Sequence, residues 1–218
     1  LMLRFMAEGM TKGAALVMAV LLARWLAADG FGGYSQTQAL VAVLVPIVLL
    51  GLGFAVIRQI AGASATEDIA APVATAFVIA SVVSLILAII MWTAANSIAI
   101  HFSDHPAAPA LVRTAAVLLP IAAWQSLLFE ALRARHRVRS ATLLQIAESA
   151  ASLLAVVVLA ALDGLTPVAA ISIIAAIKFA FFLCAGADFV LSQRIRPAQF
   201  AILPLSGIRS ALALGIPF

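Results

Sequence analysis

The chain has 218 residues, of which 65% are apolar and only 10% charged, and its mean hydropathy is +1.19. Soluble domains are about 45–50% apolar and about 25% charged, so a water-soluble enzyme is excluded, because a chain of this length has too little interior to bury so much apolar surface. In a membrane protein, the positive charges that give a net charge of +4 indicate which side of the bilayer each connection faces. No nucleic-acid partner is expected.

Six apolar segments are long enough to cross a membrane as helices. A hydrocarbon layer of ~30 Å requires ~20 helical residues. The second and third segments are free of charge from Gly30 to Ile57 and from Ile69 to Ser103. The predicted fold class is thus an all-α integral membrane protein, a six-transmembrane-helix bundle. Its spans are predicted at residues 9–28, 36–61, 70–95, 106–131, 141–162 and 167–189.

Glycines, prolines and polar residues fall between these spans. Residues 29–33 (Asp-Gly-Phe-Gly-Gly) and 163–167 (Asp-Gly-Leu-Thr-Pro) predict short turns. Pro106 and Pro167 are placed for the first turn of a helix, where the missing N–H is not needed, and Thr166 is placed to cap the last span. The outer connections are accordingly predicted at residues 29–35, 96–105 and 163–166.

Two units are predicted along the chain. Residues 1–190 form an N-terminal six-helix transmembrane lobe, and residues 191–218 form a cytoplasmic connection followed by the start of a seventh helix. The apolar run that begins at Ala211 has only eight residues before the sequence stops at Phe218, far fewer than a crossing needs. We therefore expect the sequence to be a fragment that ends inside helix seven.

The cations are distributed unequally between the two sides of the predicted bundle. With a cytoplasmic N-terminus, ten of the thirteen cations lie on the inner side, and the outer connections hold none. The positive-inside rule therefore predicts that the N-terminus is cytoplasmic. The arginine run at 133–139 is interpreted as a topology anchor, in preference to a patch for anionic lipid. The inner cations are Arg4, Lys12, Arg58, Arg133, Arg135, Arg137, Arg139, Arg194, Arg196 and Arg209.

Several short motifs occur along the chain. They are Leu-Ala-Arg at 22–24 with Leu26, Phe-Gly-x-Tyr-Ser at 31–35, Gly-Leu-Gly-x-Ala-x-x-Arg at 51–58, Phe-Ser-Asp-His-Pro at 102–106 with Leu-Leu-Pro at 118–120, and Leu-Gly-Ile-Pro at 214–217 after Arg209. These motifs resemble those of Wzx-type polysaccharide flippases, which belong to the multidrug/oligosaccharidyl-lipid/polysaccharide exporter superfamily. One departure is that the family's frequent Gly-Pro after the first motif is Ala27-Ala28 here.

The resemblance implies a transporter of twelve to fourteen helices, in which this chain is the N-terminal lobe beside a missing C-terminal lobe. The implied substrate is a polyprenyl-diphosphate-linked oligosaccharide, such as an O-antigen unit, that crosses the bacterial inner membrane. Its diphosphate and sugars would enter a polar cavity between the lobes while the tail stays among membrane lipids, and the lobes would rock in alternating access. No bond is made or broken, so we expect neither an enzyme nor a cofactor.

Charged residues inside the predicted spans are candidates for function, because charge within a membrane is costly. We predict Arg24, Arg113 and Lys178 as cations that bind the substrate in the cavity, where they suit a phosphate group. The alternative for Arg24 and Arg113 is that they snorkel toward the outer headgroups. Glu148 is interpreted either as a coupling residue or as the structural ion-pair partner of Lys178.

Polar and aromatic residues on two helices add candidates for the cavity lining. Gln145, Glu148 and Ser152 recur at helical spacing on helix five, where they line a cavity or join helices by hydrogen bonds. Trp124 and Gln125 lie in the middle of helix four. Trp124 is a candidate for stacking on a sugar, with ordinary packing as the favoured alternative.

Other charged residues are interpreted as structural. Glu130 and Asp188 lie close enough to the inner arginines to be paired with them. His101, Asp104 and His105 offer fewer ligands than the usual zinc site of three or four, so no metal site is predicted and a solvated loop is preferred.

Two other functions remain open. The first is a cation-coupled multidrug exporter of the same superfamily, which needs buried carboxylates to bind cations. The second is a membrane scaffold or partner of glycan-synthesis enzymes that transports nothing. Six or more further helices downstream would favour a transporter over the scaffold.

Overall fold

A computed structural model describes residues 2–49, 51–54, 57–58, 67–102 and 106–193, which are helical with short turns and contain no strand. Five of the helices contain segments long and apolar enough to cross a membrane, namely Ala27–Leu49, Ala71–Thr93, Ala108–Ala134, Val138–Ala161 and Pro167–Leu191. The predicted α-helical membrane bundle is thereby confirmed. The helices are α1 (Met2–Trp25), α2 (Ala27–Leu49), α3 (Glu67–Thr93), α4 (Ala95–Phe102), α5 (Ala108–Ala134), α6 (Val138–Ala161) and α7 (Pro167–Gln193).

Helix α5 is the centre of the bundle. About 67% of its membrane-spanning segment is buried inside the protein, against 17–33% for the other four. It contacts α2, α3, α4, α6 and α7, whereas α1 packs chiefly on α6. Fully buried alanines, including Ala115, Ala123 and Ala131, let the surrounding helices approach its backbone closely. The crossing of the membrane by α1 stays a prediction.

The connection between α1 and α2 differs from the sequence-based expectation. The predicted turn at residues 29–33 is wrong, because α2 begins at Ala27 and these residues are helical. The chain turns at Leu26 and Ala27, and Ala27 has a left-handed backbone with φ of 56°. Glycines suggested a break, but in α2 they allow close packing: a Cβ on Gly30 would lie 3.3 Å from Cγ of Pro167. The outer connection predicted at 29–35 is therefore wrong as well.

Two further boundaries need correction. The predicted span 36–61 is too long, since α2 ends at Leu49 and Gly51, with φ of 76°, separates it from a short helical turn at residues 52–54. Residues 50, 55–56 and 59–61 of that span lie outside the described residues. The outer connection predicted at 96–105 is helical in its first part, because α4 follows α3 after a single turn residue, Ala94, and extends to Phe102. The sequence does not predict α4, because its eight residues are far fewer than the ~20 of an apolar membrane span.

The last four predicted spans agree with the structure to within four residues at each end, whereas the first, predicted at 9–28, is a helix that begins seven residues earlier, at Met2, and ends at Trp25. Pro167 is the first residue of α7, and the Thr166 hydroxyl accepts a hydrogen bond from the Ala169 N–H at 3.1 Å, so the predicted cap is confirmed. Helix α5 begins two residues later than predicted, after Ala107, and Pro109 rather than Pro106 occupies its first turn.

The arginines of the α5–α6 connection lie at one end of the bundle, which we call the basic end and define by Arg133, Arg135, Arg137 and Arg139. Arg137 forms a 2.9 Å ion pair with Asp188 near the end of α7, so three helix ends meet there. The cytoplasmic orientation of this end stays a prediction. The predicted connection and seventh helix lie almost wholly outside the described residues, which end at residue 193.

Candidate functional site

A cluster of three polar side chains joins α5, α6 and α7. The Lys178 ammonium donates a hydrogen bond to Oε1 of Glu148 at 2.6 Å, which is also an ion pair. The Gln125 amide donates to Oε2 of Glu148 at 2.8 Å. Lys178 also reaches Oε1 of Gln125 at 3.5 Å. Both carboxylate oxygens of Glu148 are therefore hydrogen-bonded, one to a charged donor and one to a neutral donor.

The cluster lies deep within the bundle. Gln125 is 3% and Glu148 8% exposed, while the Lys178 side chain is 29% exposed. Glu148 follows the first residue of α6 by ten residues, or about 15 Å, which is half of a ~30 Å hydrocarbon layer. Charge at that depth is costly unless it is paired and hydrogen-bonded. The cluster meets both conditions, because Glu148 and Lys178 neutralise each other.

A cavity of about 340 Å³, the Tyr34 cavity, lies between α1, α2, α6 and α7. Its wall on α2 carries Tyr34 and Gln38, and the Gln38 amide donates a hydrogen bond to the Tyr34 hydroxyl at 3.1 Å. Its other walls include Met18 and Ile174, so the lining is partly polar and partly apolar. Its volume is within the range of about 300–1,000 Å³ typical of small-molecule sites.

A second cavity of about 420 Å³, the Arg133 cavity, lies between α1, α5, α6 and α7. Arg133 lines it from the last turn of α5 and forms a 2.6 Å ion pair with Glu130. The other guanidinium nitrogen of Arg133 donates to the side-chain oxygen of Gln145 at 3.1 Å. Ser126 also lines this cavity. Its lining therefore offers several hydrogen-bond donors beside two cations.

The two cavities share part of their lining with the charged cluster. Thr11, Glu148, Ser149 and Lys178 line both of them. A solute or a proton in either cavity would therefore meet the same carboxylate and the same ammonium. The ion pair between Glu148 and Lys178 is therefore accessible from both cavities, and either charged group can form a hydrogen bond or ion pair with a solute there.

The structure brings most of the predicted cavity-lining residues to this cluster. Gln125, Glu148 and Lys178 form it, Gln145 lines the Arg133 cavity and Ser152 lines the Tyr34 cavity. Ion pairing between Lys178 and Glu148, one of two alternatives left open by the sequence, is present. The assignment of these residues to substrate binding stays a prediction.

Trp124 faces away from the two polar cavities. Its indole N–H donates a hydrogen bond to the Ser81 hydroxyl at 2.9 Å, and its ring centroid lies 6.0 Å from that of Phe182. The ring lines an apolar groove of about 520 Å³ between α3, α5 and α7, beside Pro120 and Phe179. These contacts are those of a packing residue, and stacking on a sugar stays a prediction.

Arg24 and Arg113 lie apart from the cluster. Arg24 is exposed in the last turn of α1, and Arg113 is exposed in the second turn of α5. Neither is among the residues that line the Tyr34 or Arg133 cavity. Of the three predicted cavity cations, the structure places Lys178 in the lining of the Tyr34 and Arg133 cavities.

The predicted structural pairs at the basic end are confirmed. Glu130 pairs with Arg133, and Asp188 pairs with Arg137, whose guanidinium also donates to the Asp188 backbone oxygen at 3.3 Å. Within the described ranges, no group of three His, Cys, Asp or Glu residues is arranged to hold a metal ion. The side chain of His101 and residues 103–105 lie outside those ranges.

Sequence reasoning missed several residues that line the cavities. The sequence assigns Arg133 only to topology, and it does not single out five other lining residues, Thr11, Tyr34, Gln38, Ser126 and Ser149. One available signal was the i, i+4 spacing of Tyr34 and Gln38, which places two polar groups on one face of an apolar helix. Residues on different helices could not be assigned to one cavity, because the sequence does not show how each helix is rotated about its axis.

A comparison with protein families matches residues 2–218 to the family described as "Polysaccharide biosynthesis protein". Comparisons with curated proteins and with solved structures gave no match. The family match covers nearly the entire sequence, including all of the helices described above. The chain, with its polar cluster enclosed by membrane-spanning helices, therefore belongs to the polysaccharide biosynthesis protein family, in agreement with the resemblance to Wzx-type polysaccharide flippases.

Proposed function

We propose that this chain is the N-terminal lobe of a flippase that moves a polyprenyl-diphosphate-linked oligosaccharide across the bacterial inner membrane. The lobe works with a C-terminal lobe by alternating access, and its basic end faces the cytoplasm. The polyprenyl tail stays among membrane lipids while the diphosphate and sugars cross through polar space. The protein makes and breaks no covalent bond.

The observation that carries this proposal is the Glu148–Lys178–Gln125 cluster, whose charged pair lines two cavities that both contain polar side chains, inside an apolar bundle. A chain that served only as a scaffold would gain nothing from holding a charge pair at mid-membrane depth, where unpaired charge is expensive. Transport of a polar group requires polar surface at that depth. Membership of a polysaccharide biosynthesis family makes a glycan carrier the fitting cargo.

The two exposed cations, Arg24 and Arg113, complete the proposed path at its opposite end from the basic end. Each lies on the lobe surface, outside the two described cavities. A surface position fits a cavity shared with the C-terminal lobe, where a diphosphate would meet them. Snorkelling to headgroups is the competing role. Arg24→Glu separates the two, because it abolishes transport only if Arg24 faces the substrate.

The proposal is tested with the full-length protein in proteoliposomes that contain a fluorescent polyprenyl-diphosphate oligosaccharide. Translocation is measured by the loss of outer-leaflet label to an impermeant quencher. We expect Lys178→Met to lower the initial rate at least tenfold at equal reconstituted protein. Arg139→Gln, which removes an exposed cation from the basic end, is the matched control and should keep the rate. Equal rates with native protein and empty vesicles would refute the proposal.

One observation favours a cation-coupled exporter as the second candidate. Glu148 is a buried carboxylate that lines both cavities, and such a group can bind a cation or a proton. Lys178 already neutralises it, which argues against a stable site for a metal cation. A sodium gradient that drives efflux of a cationic dye, in the absence of any glycan lipid, would favour this second function.

A further inference from the structure

A groove with an apolar lining opens at the surface of the lobe between α3, α5 and α7. This Trp124 groove has a volume of about 520 Å³, and the side chains in its lining are all apolar or aromatic. The indole N–H of Trp124 already donates to Ser81, so it offers no free donor there. Helix α5 is the most deeply buried span, and the groove is a place where membrane lipid can reach it. Among the lining residues are Ile89, Trp92, Val117, Pro120, Trp124 and Phe179.

The Trp124 groove extends from one end of the bundle to its middle. Trp92 lies in the last turn of α3 and Ala116 in the third turn of α5, so this end of the groove is opposite the basic end. Trp124 lies close to the midpoint of α5. Between Arg113 and Trp124, α5 rises ~16 Å, about half of a ~30 Å hydrocarbon layer. The groove therefore has about the depth of one lipid leaflet.

Aromatic rings end the groove at the middle of the membrane. The ring centroid of Phe182 lies 6.0 Å from that of Trp124 and 6.2 Å from those of Phe77 and Phe179. On the other side of this cluster, a separate apolar groove of about 190 Å³ is lined by Phe77, Leu128 and Phe182 among others. A transmembrane helix of a partner protein would need one groove of full depth. Two grooves divided at mid-membrane instead suit lipid chains, which enter from each leaflet separately.

Arg113 lies beside the Trp124 groove at the end opposite the basic end. It precedes the lining residues Ala116 and Val117 by three and four positions, which places all three on one face of α5. The Arg113 side chain is exposed, and within the described part of the chain no ion pair occupies it. Helical side chains lean toward the N-terminus of their helix. An extended Arg113 therefore reaches the headgroup region nearest the start of α5.

We propose that the Trp124 groove binds one chain of an anionic phospholipid whose phosphate is held by Arg113. The guanidinium donates charge-assisted hydrogen bonds to the phosphate oxygens, while the chain packs against Val117 and the ring of Trp124. Trp92, at the end of α3, lies at the level where indole rings sit among headgroups. A zwitterionic lipid fits less well, because the cation of its own headgroup offsets the phosphate.

This inference does not rest on the proposed function. A phospholipid in the leaflet opposite the basic end needs only the groove and the exposed cation, whatever the protein transports. The diphosphate of the proposed substrate would compete with the phospholipid for Arg113, since one guanidinium holds one phosphate group at a time. The two ligands are separated by the experiments that follow.

Binding is measured on the full-length protein in neutral detergent by native mass spectrometry. The probes are dioleoyl phosphatidylglycerol and dioleoyl phosphatidylcholine, which share their chains and differ in headgroup charge. Native protein should bind at least one phosphatidylglycerol about tenfold more tightly than phosphatidylcholine, the effect of one charge-assisted contact. Arg113→Gln should lose one such preferred site. Arg24→Gln, which removes an exposed cation from the last turn of α1, away from the groove, should keep it.

A substitution inside the groove tests the position of the lipid chain. Val117 is 49% exposed, so Val117→Phe should fold normally, and its ring should weaken phosphatidylglycerol binding at this site at least about fivefold by occupying the space of the chain. Val158→Phe is the matched control, because Val158 is also 49% exposed but lies on α6, outside the groove. Native binding by either Arg113→Gln or Val117→Phe would overturn the proposal. A dimer that Val117→Phe dissociates would also overturn it, since a second copy would then occupy the groove.

Native protein alone gives a test that does not depend on any variant. A phosphatidylglycerol analogue with a photoreactive group at its chain end, in phosphatidylcholine nanodiscs, should label α5 near Trp124 or α7 near Phe179. Added phosphatidylglycerol should suppress this labelling, and further phosphatidylcholine should not. Labelling that spares both segments, or equal suppression by the two lipids, would contradict the inference. Suppression by a polyprenyl-diphosphate lipid alone would assign the groove to the transport substrate and would refute the phospholipid site.

Discussion

Gly33 of α2 packs directly against Leu111 of α5, so closely that a Cβ on Gly33 would come within 2.8 Å of the Leu111 Cδ1 atom. Leu111 is 2% exposed and has little room to move aside. A side chain at Gly33 would therefore require the buried Leu111 side chain to shift. The neighbouring Gly32 is different, because a Cβ there would meet nothing within 4 Å.

The first prediction uses these adjacent glycines as a matched pair. Gly33→Ala should lower the stability of the full-length protein by about 1–3 kcal/mol, the usual cost of overpacking a core. Gly32→Ala should be neutral or stabilising by up to about 1 kcal/mol, since alanine is the better helix former. Thermal unfolding in detergent, followed by size-exclusion chromatography, measures both. Equal midpoints for the two variants would show that the contact with Leu111 is unimportant.

The second prediction concerns the turn between α1 and α2. Ala27 has φ of 56°, a conformation that costs a residue with a Cβ roughly 1–2 kcal/mol and costs glycine little. Ala27→Gly should therefore raise the midpoint of thermal unfolding. Ala28→Gly, one residue further into α2, should lower it, because glycine at a helical position costs about 0.5–1 kcal/mol. The opposite order would mean that the turn differs from the one described.

The region around Gly32, Gly33 and Ala27 shows which part of the fold could not be predicted from the sequence. The long spans α3, α5, α6 and α7 are predictable because apolar runs end at prolines, glycines or charges. Residues 29–33 have the composition of a turn, and only the neighbouring helices α5 and α7 favour a helix there. Helix propensity is a weak local preference that packing overrides.

The candidate site was predictable to a similar extent. Depth along the helices predicts that Glu130 and Asp188 pair with arginines of the basic end and offers Lys178 as a partner for Glu148, since buried charges need partners, but the particular arginines are known only from the structure. Which residues line each cavity cannot be predicted from the sequence, because the lining depends on how every helix is rotated about its axis. Gln125 and Trp124 show this: they are adjacent in sequence, yet Gln125 lines a polar cavity and Trp124 an apolar groove.

The third prediction tests the orientation of the bundle. Asp163 is exposed in the α6–α7 turn, and Arg139 is exposed at the basic end. In a background with Cys184→Ser, a single cysteine at position 163 should react with an impermeant thiol reagent added to intact cells. A single cysteine at position 139 should react only after the membrane is permeabilised. The reverse pattern would place the N-terminus outside and would remove the positive-inside argument.

The fourth prediction decides whether the ion pair between Glu148 and Lys178 is only structural. Lys178→Ala and Glu148→Ala should each lower the amount of folded protein, because each leaves one buried charge without a partner at a cost of about 3–5 kcal/mol. The exchange of the two residues, Glu148→Lys with Lys178→Glu, restores a neutral pair. We expect this double variant to recover abundance in the membrane.

Transport should not recover with abundance. The exchange moves the ammonium from α7 to α6 and places a carboxylate where Lys178 meets the Arg133 cavity, so a diphosphate there encounters negative charge. Glycan-lipid translocation by the double variant, normalised to folded protein, should stay at least about tenfold below native, which corresponds to about 1.4 kcal/mol in the transport barrier. Recovery of translocation together with abundance would mean that the position of the positive charge is unimportant, and the pair would then be structural alone.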